Sequence, residues 1–407
     1  MDVFRKWTAA VAVACMLALP GWAAEIPRAK PEEVGMSSER LAKVKSTVQK
    51  MVDDRKIAGA ITMVARRGKI VHCETYGLQD TDENKPVAHD TIMRFYSMSK
   101  PITTVAAMVL YDEGRLALDD PVEKHIPELK GLKVYDAAQP VEPDRKVTIR
   151  DLMRHTSGLT YGIFGNSPVD QIYKQKQILG SRDLQSMVEK LGRIPLMHPP
   201  GTRWHYSVST DVLGCLVEKV SGRKLDVFFQ ERIFGPLDMK DTAFFVPKTK
   251  VDRFSSCYSP GPEGLKVTEA FNASRYLMPP SFLSGGGGLV STARDYLRFC
   301  QMLINKGELF GSRVLKAETV DMMTKNQLPA KVHWGGKNGF GLGFSVQIQD
   351  GGSNAHVGEY GWGGAASTHF WISPKDDLVV VALSQLMPFS PQLQNAVKPL
   401  VYEAIVD

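Results

Sequence analysis

Apolar residues recur along this chain with two periods, one typical of helices and one typical of strands. Spacing by three and four residues predicts amphipathic helices, which begin at capping residues and end near glycine. A capping box at Thr148 and Asp151 marks one such start. The pattern predicts helices at 37–51, 97–114, 148–158, 181–191, 212–222, 227–233, 292–304 and 396–405.

Strand patterns cluster near the two ends of the chain. Residues 60–65 and 69–76 predict a hairpin that turns at Arg67-Gly68. Further strands are predicted at 340–346, 366–372 and 378–383. The fold class is therefore α+β: an antiparallel sheet built from both chain ends and flanked by helices, with an inserted, mostly helical domain. We expect a sheet domain at 24–120 plus 285–407 and an inserted domain at 121–284.

The first residues predict a secretory leader rather than part of the fold. Arg5 and Lys6 precede an apolar stretch at 9–19, and the small residues Gly21 and Ala23 follow at the key positions before the cleavage site. This order is typical of a signal peptide, here residues 1–23, cleaved after Ala23. The stretch is shorter than the ~20 residues that span a bilayer, and no later stretch is apolar enough. We therefore expect a periplasmic or secreted protein without an integral membrane segment after cleavage.

Composition narrows the classes of partner. The chain has 407 residues, 43% of them hydrophobic, and a formal net charge of +6. Its basic residues are scattered, which argues against nucleic-acid binding. The nine histidines are dispersed and no H-E-x-x-H occurs, so we expect neither a metal nor another cofactor. Four cysteines follow the leader without a C-x-x-C pair, and neither their redox state nor the oligomeric state can be derived from the sequence.

The strongest chemical signal is Ser97-Met98-Ser99-Lys100. Residues three apart lie on one helix face, so the Lys100 amine can reach the Ser97 hydroxyl. A serine becomes a nucleophile when a base takes its proton, and a lysine can do so only when its surroundings keep the amine uncharged. The G-x-S-x-G elbow of the α/β-hydrolases is absent. Ser97 must therefore find other partners.

Three ordered blocks carry a resemblance to a known family. They are S-M-S-K at 97–100, P-G-T-R-W-H-Y-S-V at 200–208 and G-W-G-G-A at 361–365. With them the chain resembles the serine β-lactamase and penicillin-binding-protein superfamily, on its class C side. The resemblance implies a β-lactamase/transpeptidase-like fold.

Two departures make the chain most similar to family VIII carboxylesterases. Val208 stands where class C enzymes have the asparagine of Tyr-x-Asn, and Trp362-Gly363-Gly364 stands where they have Lys-Thr-Gly. A lysine there holds the carboxylate of a penicillin, and such a charge-assisted hydrogen bond contributes roughly 1.5–3 kcal/mol. Trp362 offers an apolar wall instead. We therefore expect a preference for uncharged acyl esters over anionic lactams.

The resemblance also implies a role for each residue of the site. Ser97 becomes acylated, Lys100 and Tyr206 move its proton, and the backbone N–H groups of Ser97 and Ala365 form the oxyanion hole. Whether Lys100 or Tyr206 is the first base stays open, because the two would titrate as one unit. Substrate contacts are expected from Trp362, Gly363, Gly364 and Val208.

The sequence thus predicts an exported serine carboxylesterase that cleaves short-chain esters of small molecules. The resemblance also implies weak β-lactam hydrolysis. The alternatives are a class C-like β-lactamase or D-amino-acid peptidase or amidase, an acyltransferase, and a non-catalytic penicillin-binding-like module. Structural roles are expected for His155, His205 and His356. The sequence does not decide whether Tyr161 and Tyr360 line the cleft.

Overall fold

The structure of the chain is a computed structural model that describes residues 25–262, 264–352 and 355–407. The predicted leader at 1–23 lies outside these residues, so its prediction stays a prediction. Within the described ranges no helix combines the length and the apolar character needed to cross a membrane.

Helices and strands mix along the whole described chain. The α-helices are α1 Ser38–Asp53, α2 Ser99–Asp112, α3 Ile149–Met153, α4 Pro168–Gln175, α5 Leu184–Leu191, α6 Ser209–Ser221, α7 Leu225–Phe229, α8 Ala293–Ile304, α9 Ala317–Met323 and α10 Gln392–Glu403. The strands are β1 Gly59–Arg66, β2 Lys69–Asp80, β3 Lys85–Pro86, β4 Met93–Arg94, β5 Cys257–Gly261, β6 Gly264–Glu269, β7 Val290–Ser291, β8 Glu308–Leu309, β9 Ser312–Arg313, β10 Asn338–Phe340, β11 Ser345–Gln347, β12 Tyr360–Gly364, β13 Thr368–Ser373 and β14 Leu378–Ser384.

One antiparallel sheet joins the two ends of the chain, as predicted. Its eight strands follow the order β10-β11-β12-β13-β14-β1-β2-β3. The central pair is β1 against β14, in which Ile61 lies opposite Leu383 and Met63 opposite Val381. The strand that carries the third motif block, β12, therefore lies three positions from β1 in the sheet.

Helices cover both faces of this sheet. Because successive strand residues point to opposite faces, Ala60 and Val64 of β1 pack in one core with α1 and α10. Ile61 and Met63 lie in the other core, which contains α8 and α2. Nearly every residue of α2 is buried, and α2 packs against α6 of the helical region. The helix that follows Ser97 is thus the central element of the larger core.

Several predicted elements are confirmed, and two needed correction. Helix α3 has the predicted capping box but ends at Met153 rather than 158, because His155 takes a left-handed φ of 56° that no α-helix continues. The predicted strand 340–346 is a hairpin instead. Gly343 at φ 86° turns the chain between β10 and β11.

Residues between α2 and β7 contain helices α3 to α7 and the β5–β6 hairpin, in agreement with a mostly helical insertion. Their apolar side chains share one core with the inner face of the sheet. The domain boundaries at 120/121 and 284/285 stay a prediction.

Candidate active site

Ser97 lies in a single 3-10 turn, Tyr96–Met98, immediately before α2. Tyr96 has a φ of 43°, a left-handed conformation that is strained for a residue with a Cβ. The turn is held because the Tyr296 hydroxyl donates to the Met98 carbonyl at 2.9 Å. Just beyond it, the Leu289 N–H donates to Ser99 Oγ at 3.1 Å. Strained backbone with firm anchors fixes the direction of the Ser97 hydroxyl.

Lys100 is the second residue of α2, and its side chain is buried, with 2% exposure. Its Nζ lies 3.2 Å from Ser97 Oγ, 2.9 Å from Tyr161 Oη and 2.7 Å from the Gly286 carbonyl oxygen. The carbonyl can only accept, so one N–H of the amine must point there. An uncharged amine then has one N–H and one lone pair left for the two hydroxyls. Lys100 is thus placed to take a proton from Ser97.

Tyr206 completes the group around the Ser97 hydroxyl. Its Oη donates to Ser97 Oγ at 2.7 Å, and Lys100 Nζ lies 4.6 Å from its ring centre. Tyr206 lies in the segment before α6. This segment is fixed to the chain after α3, because the His205 N–H donates to the His155 carbonyl at 2.8 Å. The first two motif blocks, distant in sequence, therefore meet at one hydroxyl.

Tyr161 belongs to the same group around Lys100. The sequence had not decided whether this residue lines the cleft. Its ring centre lies 5.2 Å from that of Tyr206, and its Oη contacts Lys100. Burial raises the pKa of the Tyr161 phenol well above its usual value, and neighbouring Tyr206 and Asp211 raise it further. Tyr161 therefore stays a neutral phenol. None of the three motif blocks contains Tyr161, so they could not place it here.

A buried carboxyl lies behind the amine. Asp211 of α6 accepts hydrogen bonds from the Ser284 hydroxyl and from the Gly286 N–H, the latter at 3.0 Å. Burial raises the pKa of Asp211, and the charge of Lys100 opposes that rise. The predicted tight turn at 285–288 is present, with N–H groups of Gly287 and Gly288 donating to the Ser284 carbonyl. Its contact with Lys100 was not predicted.

The third motif block lies beside the Ser97 turn. A side chain at Gly364 would collide with the Phe95 carbonyl, so glycine is required for β12 to approach this turn. Ala365 follows directly and is partly exposed, as are Trp362 and Gly363. The oxyanion role of the Ser97 and Ala365 N–H groups stays a prediction.

Val208 does not fit its predicted substrate role. Its side chain is fully buried as the residue before α6, and its N–H donates to the Thr160 carbonyl. Because such a side chain cannot touch a bound ester, we correct the prediction to a packing role. Tyr360 is also buried and packs on Phe344, so it does not line the cleft.

The contacts of the three histidines bear on the structural roles predicted for them. His155 is buried against the Tyr206 ring at 5.0 Å, and burial and the Lys100 charge lower its pKa well below the usual value. A neutral His155 fits the expected structural role. His205 accompanies Tyr206 and contacts the Thr160 hydroxyl at 3.2 Å. His356 lies 3.5 Å from the Asp376 carboxylate.

The partly exposed Ser97 hydroxyl thus has an amine and a phenol within hydrogen-bond distance, which is the arrangement of an activated nucleophile. The described residues contain no group of three or more His, Cys, Asp or Glu side chains that could hold a metal ion. Chemistry that the observed side chains can support is acyl transfer through Ser97.

Comparison with known proteins agrees with this geometry. A family profile described as Beta-lactamase matches residues 44–401. Protein Rv1367c of Mycobacterium tuberculosis is 36% identical over 362 residues, covering 84% of this chain and 89% of that protein. Esterase EstB of Burkholderia gladioli is 30% identical over 353 residues, covering 81% and 86%. Among solved structures, "EstCE1, a hydrolase with promiscuous acyltransferase activity" superposes with a TM-score of 0.78 at 27% identity, covering 89% of this chain and 99% of that one.

Proposed function

Because this chain belongs to the beta-lactamase family, as a serine hydrolase of the carboxylesterase kind, we propose that it cleaves short-chain acyl esters through an acyl-enzyme on Ser97. The observation that carries the proposal is the pair of contacts at the Ser97 Oγ atom, 2.7 Å from Tyr206 Oη and 3.2 Å from Lys100 Nζ. The similarity to EstB supports an ester as the substrate.

Acylation follows from the positions of these three groups. Ser97 Oγ attacks the ester carbonyl while its proton passes to the coupled Lys100–Tyr206 pair. The tetrahedral oxyanion is stabilised by the N–H groups of Ser97 and Ala365, and a missing donor of this kind costs about 10²–10³ in rate. When the carbon–oxygen bond to the alcohol breaks, the Tyr206 hydroxyl protonates the leaving alkoxide.

Deacylation uses the same pair in the opposite direction. A water molecule attacks the acyl carbon, and its proton passes to the Lys100–Tyr206 pair. Ser97 leaves with a proton from that pair, which restores the starting state and releases the acid. The neutral Tyr161 phenol and the Gly286 carbonyl hold the amine in place throughout both steps.

Esters are favoured over lactams by the family VIII-like third block. Trp362 stands where a lysine would bind the lactam carboxylate, and its indole ring packs on the rings of Tyr206 and Phe340. An anionic substrate therefore loses about 1.5–3 kcal/mol of charge-assisted binding at this position. A Cβ at Gly363 would lie 3.1 Å from Phe389 and from the Thr368 carbonyl, so glycine suits this position beside Trp362.

An acyltransferase is the second candidate. The similarity to EstCE1, named as a hydrolase with promiscuous acyltransferase activity, supports it. In such a reaction an alcohol replaces water as the acceptor of the acyl group, while Ser97, Lys100 and Tyr206 keep their roles. Product analysis with and without a primary alcohol separates the two activities, because transfer yields a new ester in place of free acid.

Labelling tests the proposal directly. Treatment with a fluorophosphonate followed by peptide mass spectrometry is expected to place one adduct on Ser97, and Ser97→Ala to lose both adduct and activity. Acetate and butyrate p-nitrophenyl esters should outrank longer esters, a chromogenic cephalosporin and a D-Ala-D-Ala peptide in kcat/KM. An adduct on any other residue, or cephalosporin turnover equal to ester turnover, would refute the proposal.

Export to the periplasm or the medium is proposed from the leader sequence. Expression of the full chain in a Gram-negative host should yield a mature protein whose N-terminal sequence begins at Ala24. Recovery of the unprocessed chain from the cytoplasm alone would contradict this part of the proposal.

A further inference from the structure

Tyr206 is one edge of a continuous aromatic surface. We call Trp204, Tyr206, Trp334 and Trp362 the aromatic wall. The stacked rings of Trp204 and Tyr206 are 6.1 Å apart at an interplanar angle of 13°, and Trp334 lies 4.9 Å from Trp204 and 5.7 Å from Trp362. The ring centre of Trp362 in turn lies 5.7 Å from that of Tyr206, so the four rings form a closed set of neighbours. All four side chains are partly exposed.

A buried ring supports the wall from below. Phe340 has 1% exposure, and its ring centre lies 5.3–5.5 Å from the ring centres of all three tryptophans. These residues come from separate parts of the chain: the segment before α6, the segment before β10, and strand β12. Several segments converge on one ring cluster, so the ring faces are fixed by packing before a ligand arrives.

The wall presents carbon rather than hydrogen-bonding groups. The indole N–H groups of Trp204 and Trp362 are buried, and neither finds an acceptor among the described residues. Accessible parts of these two side chains are therefore ring carbons. Such a surface favours apolar ligands, and flat aromatic groups above all, because they can stack or pack edge-on against the rings.

The proton path shows which half of an ester lies on this wall. Tyr206 Oη can protonate the leaving alkoxide only when the leaving oxygen lies within hydrogen-bond distance of it. The alcohol half of the substrate must therefore leave the reacting carbon beside the Tyr206 ring. Next to that ring lie the wall residues Trp204 and Trp362. Tyr161 and the exposed Phe164 also contact it, with ring centres 5.2 Å and 6.0 Å from that of Tyr206.

Resting on the proposed function, we infer that the aromatic wall is the alcohol subsite and that it selects short-chain esters of alcohols carrying an aromatic or fused-ring group. The acyl half stays small, and the ring of the alcohol packs across the tryptophans. Selectivity thus comes from the leaving group rather than from the acyl chain.

A pair of isomeric esters tests the orientation. In 2-naphthylmethyl acetate the ring belongs to the alcohol, and in methyl 2-naphthylacetate it belongs to the acyl group. We expect kcat/KM for the first to exceed that for the second about 3- to 10-fold, the size of a typical aromatic pairing effect. Equal values, or the reverse order, would overturn the inference while leaving Ser97 labelling, and with it the proposed function, intact.

A second comparison tests the preference for a ring. Acetates of 2-naphthylmethanol and n-octanol have the same acyl group and both release a primary alkoxide, and the naphthyl ester should be the better substrate. Trp334→Leu keeps an apolar side chain but removes a ring, so it should reduce this preference toward unity. Phe310→Leu, in the β8–β9 hairpin, removes a ring that contacts Arg298 rather than the wall, so it is the matched control and should leave the preference unchanged. A preference that survives Trp334→Leu would refute the role of the wall.

Discussion

The Lys100 amine has three hydrogen-bonding neighbours and a limited number of N–H groups and lone pairs for them. The Gly286 carbonyl takes one N–H, so the Ser97 and Tyr161 hydroxyls share what remains. If the amine is uncharged, one of these hydroxyls donates to its lone pair. If the Tyr161 phenol donates to the lone pair of the amine, the remaining N–H points to Ser97. If the phenol instead accepts that N–H, the lone pair is free to take the Ser97 proton. Tyr161 thus decides which state of the amine faces the nucleophile.

Tyr161→Phe keeps the ring and removes only this hydroxyl. We expect kcat for p-nitrophenyl butyrate to fall about 10- to 100-fold, because a hydrogen bond to a charged or reacting group contributes roughly 1.5–3 kcal/mol. The pH–rate profile should shift as well, since the amine loses a neighbour. Steady-state kinetics from pH 5 to 9 would check both. An unchanged profile with lower kcat would assign Tyr161 a packing role instead.

Trp362→Lys tests charge selectivity at the third block. A lysine at this position can pair with a lactam carboxylate, so the ratio of cephalosporin to ester kcat/KM should rise about 10- to 100-fold. Leu179→Lys adds the same charge at an exposed position outside the aromatic wall and is the control. If both variants change the ratio equally, position 362 has no special part in selecting substrate charge.

At the scale of elements, the glycine turn before β7 supports the site without supplying a side chain. A Cβ at Gly286 would lie 2.5 Å from Asp211 Oδ2 and 3.0 Å from Tyr161 Oη, so neither group could keep its position. The same atom at Gly287 would meet only the Tyr96 backbone, at an ordinary 3.6 Å. Neighbouring glycines in one turn therefore differ sharply in what they allow.

Gly286→Ala should lower kcat by about 10²-fold, the effect of a misplacement of about 1 Å at a reacting group. Gly287→Ala should keep most of the activity. Circular dichroism and thermal melts of both variants would show whether the fold is retained. Equal kcat in two folded variants would contradict a role for this turn in positioning Lys100 and Tyr161.

Helix α3 begins with a buried carboxylate that organises the segment leading to Tyr161. Burial alone would raise the pKa of Asp151, but hydrogen bonds from Arg145, Thr148, Thr156 and Arg154 hold it at about 2. The unfolded carboxyl titrates near 3.8. The unfolded state therefore binds more protons between these values, and the stabilisation by Asp151 is present above about pH 4 and lost as the pH falls toward 2.

Asp151→Asn should lower the free energy of unfolding at pH 7 by about 3–5 kcal/mol, because it leaves two guanidinium groups without their carboxylate. The difference in unfolding free energy between wild type and variant should then narrow by about 1.4 kcal/mol between pH 4 and 2.5, since only the wild type loses this ion pair on acidification. Urea denaturation across this range would measure it. A constant difference would mean that Asp151 is not the titrating group.

What the sequence could predict at this scale depended on local signals. Helix α1 and helix α8 have clear caps and one apolar face, and both appear as predicted. The hairpin of β10 and β11 was missed because Gly341 and Gly343 interrupt a run that otherwise alternates like one strand. The Gly286 carbonyl was missed for a different reason. Any residue type has a carbonyl, so only the fold reveals which one meets Lys100.

At the scale of the whole molecule, the site exists because the chain closes on itself. Strand β1 near the start pairs with β14 near the end, and this pairing brings β12 beside the turn that carries Ser97. The helical region then contributes Tyr161 and Tyr206 from segments that are bonded to each other. The order of the motif blocks along the sequence could suggest this assembly. The distances between the blocks could not be predicted, because they depend on long-range contacts of the fold.

The state of the cysteines reports on both the fold and the leader. Cys73 is partly exposed, whereas Cys215, Cys257 and Cys300 are buried, and all four are free thiols in the described chain. Burial raises the pKa of Cys215 to about 12, which suppresses its reactivity in the folded state.

A thiol reagent such as DTNB should therefore modify one cysteine of the native protein, and none in Cys73→Ser. After denaturation without reductant the count should rise to four if the leader has been removed, and to five if Cys15 is retained. Fewer than four would mean that two of these cysteines form a disulfide. More than one in the native protein without its leader would contradict the packing of the core around the other three.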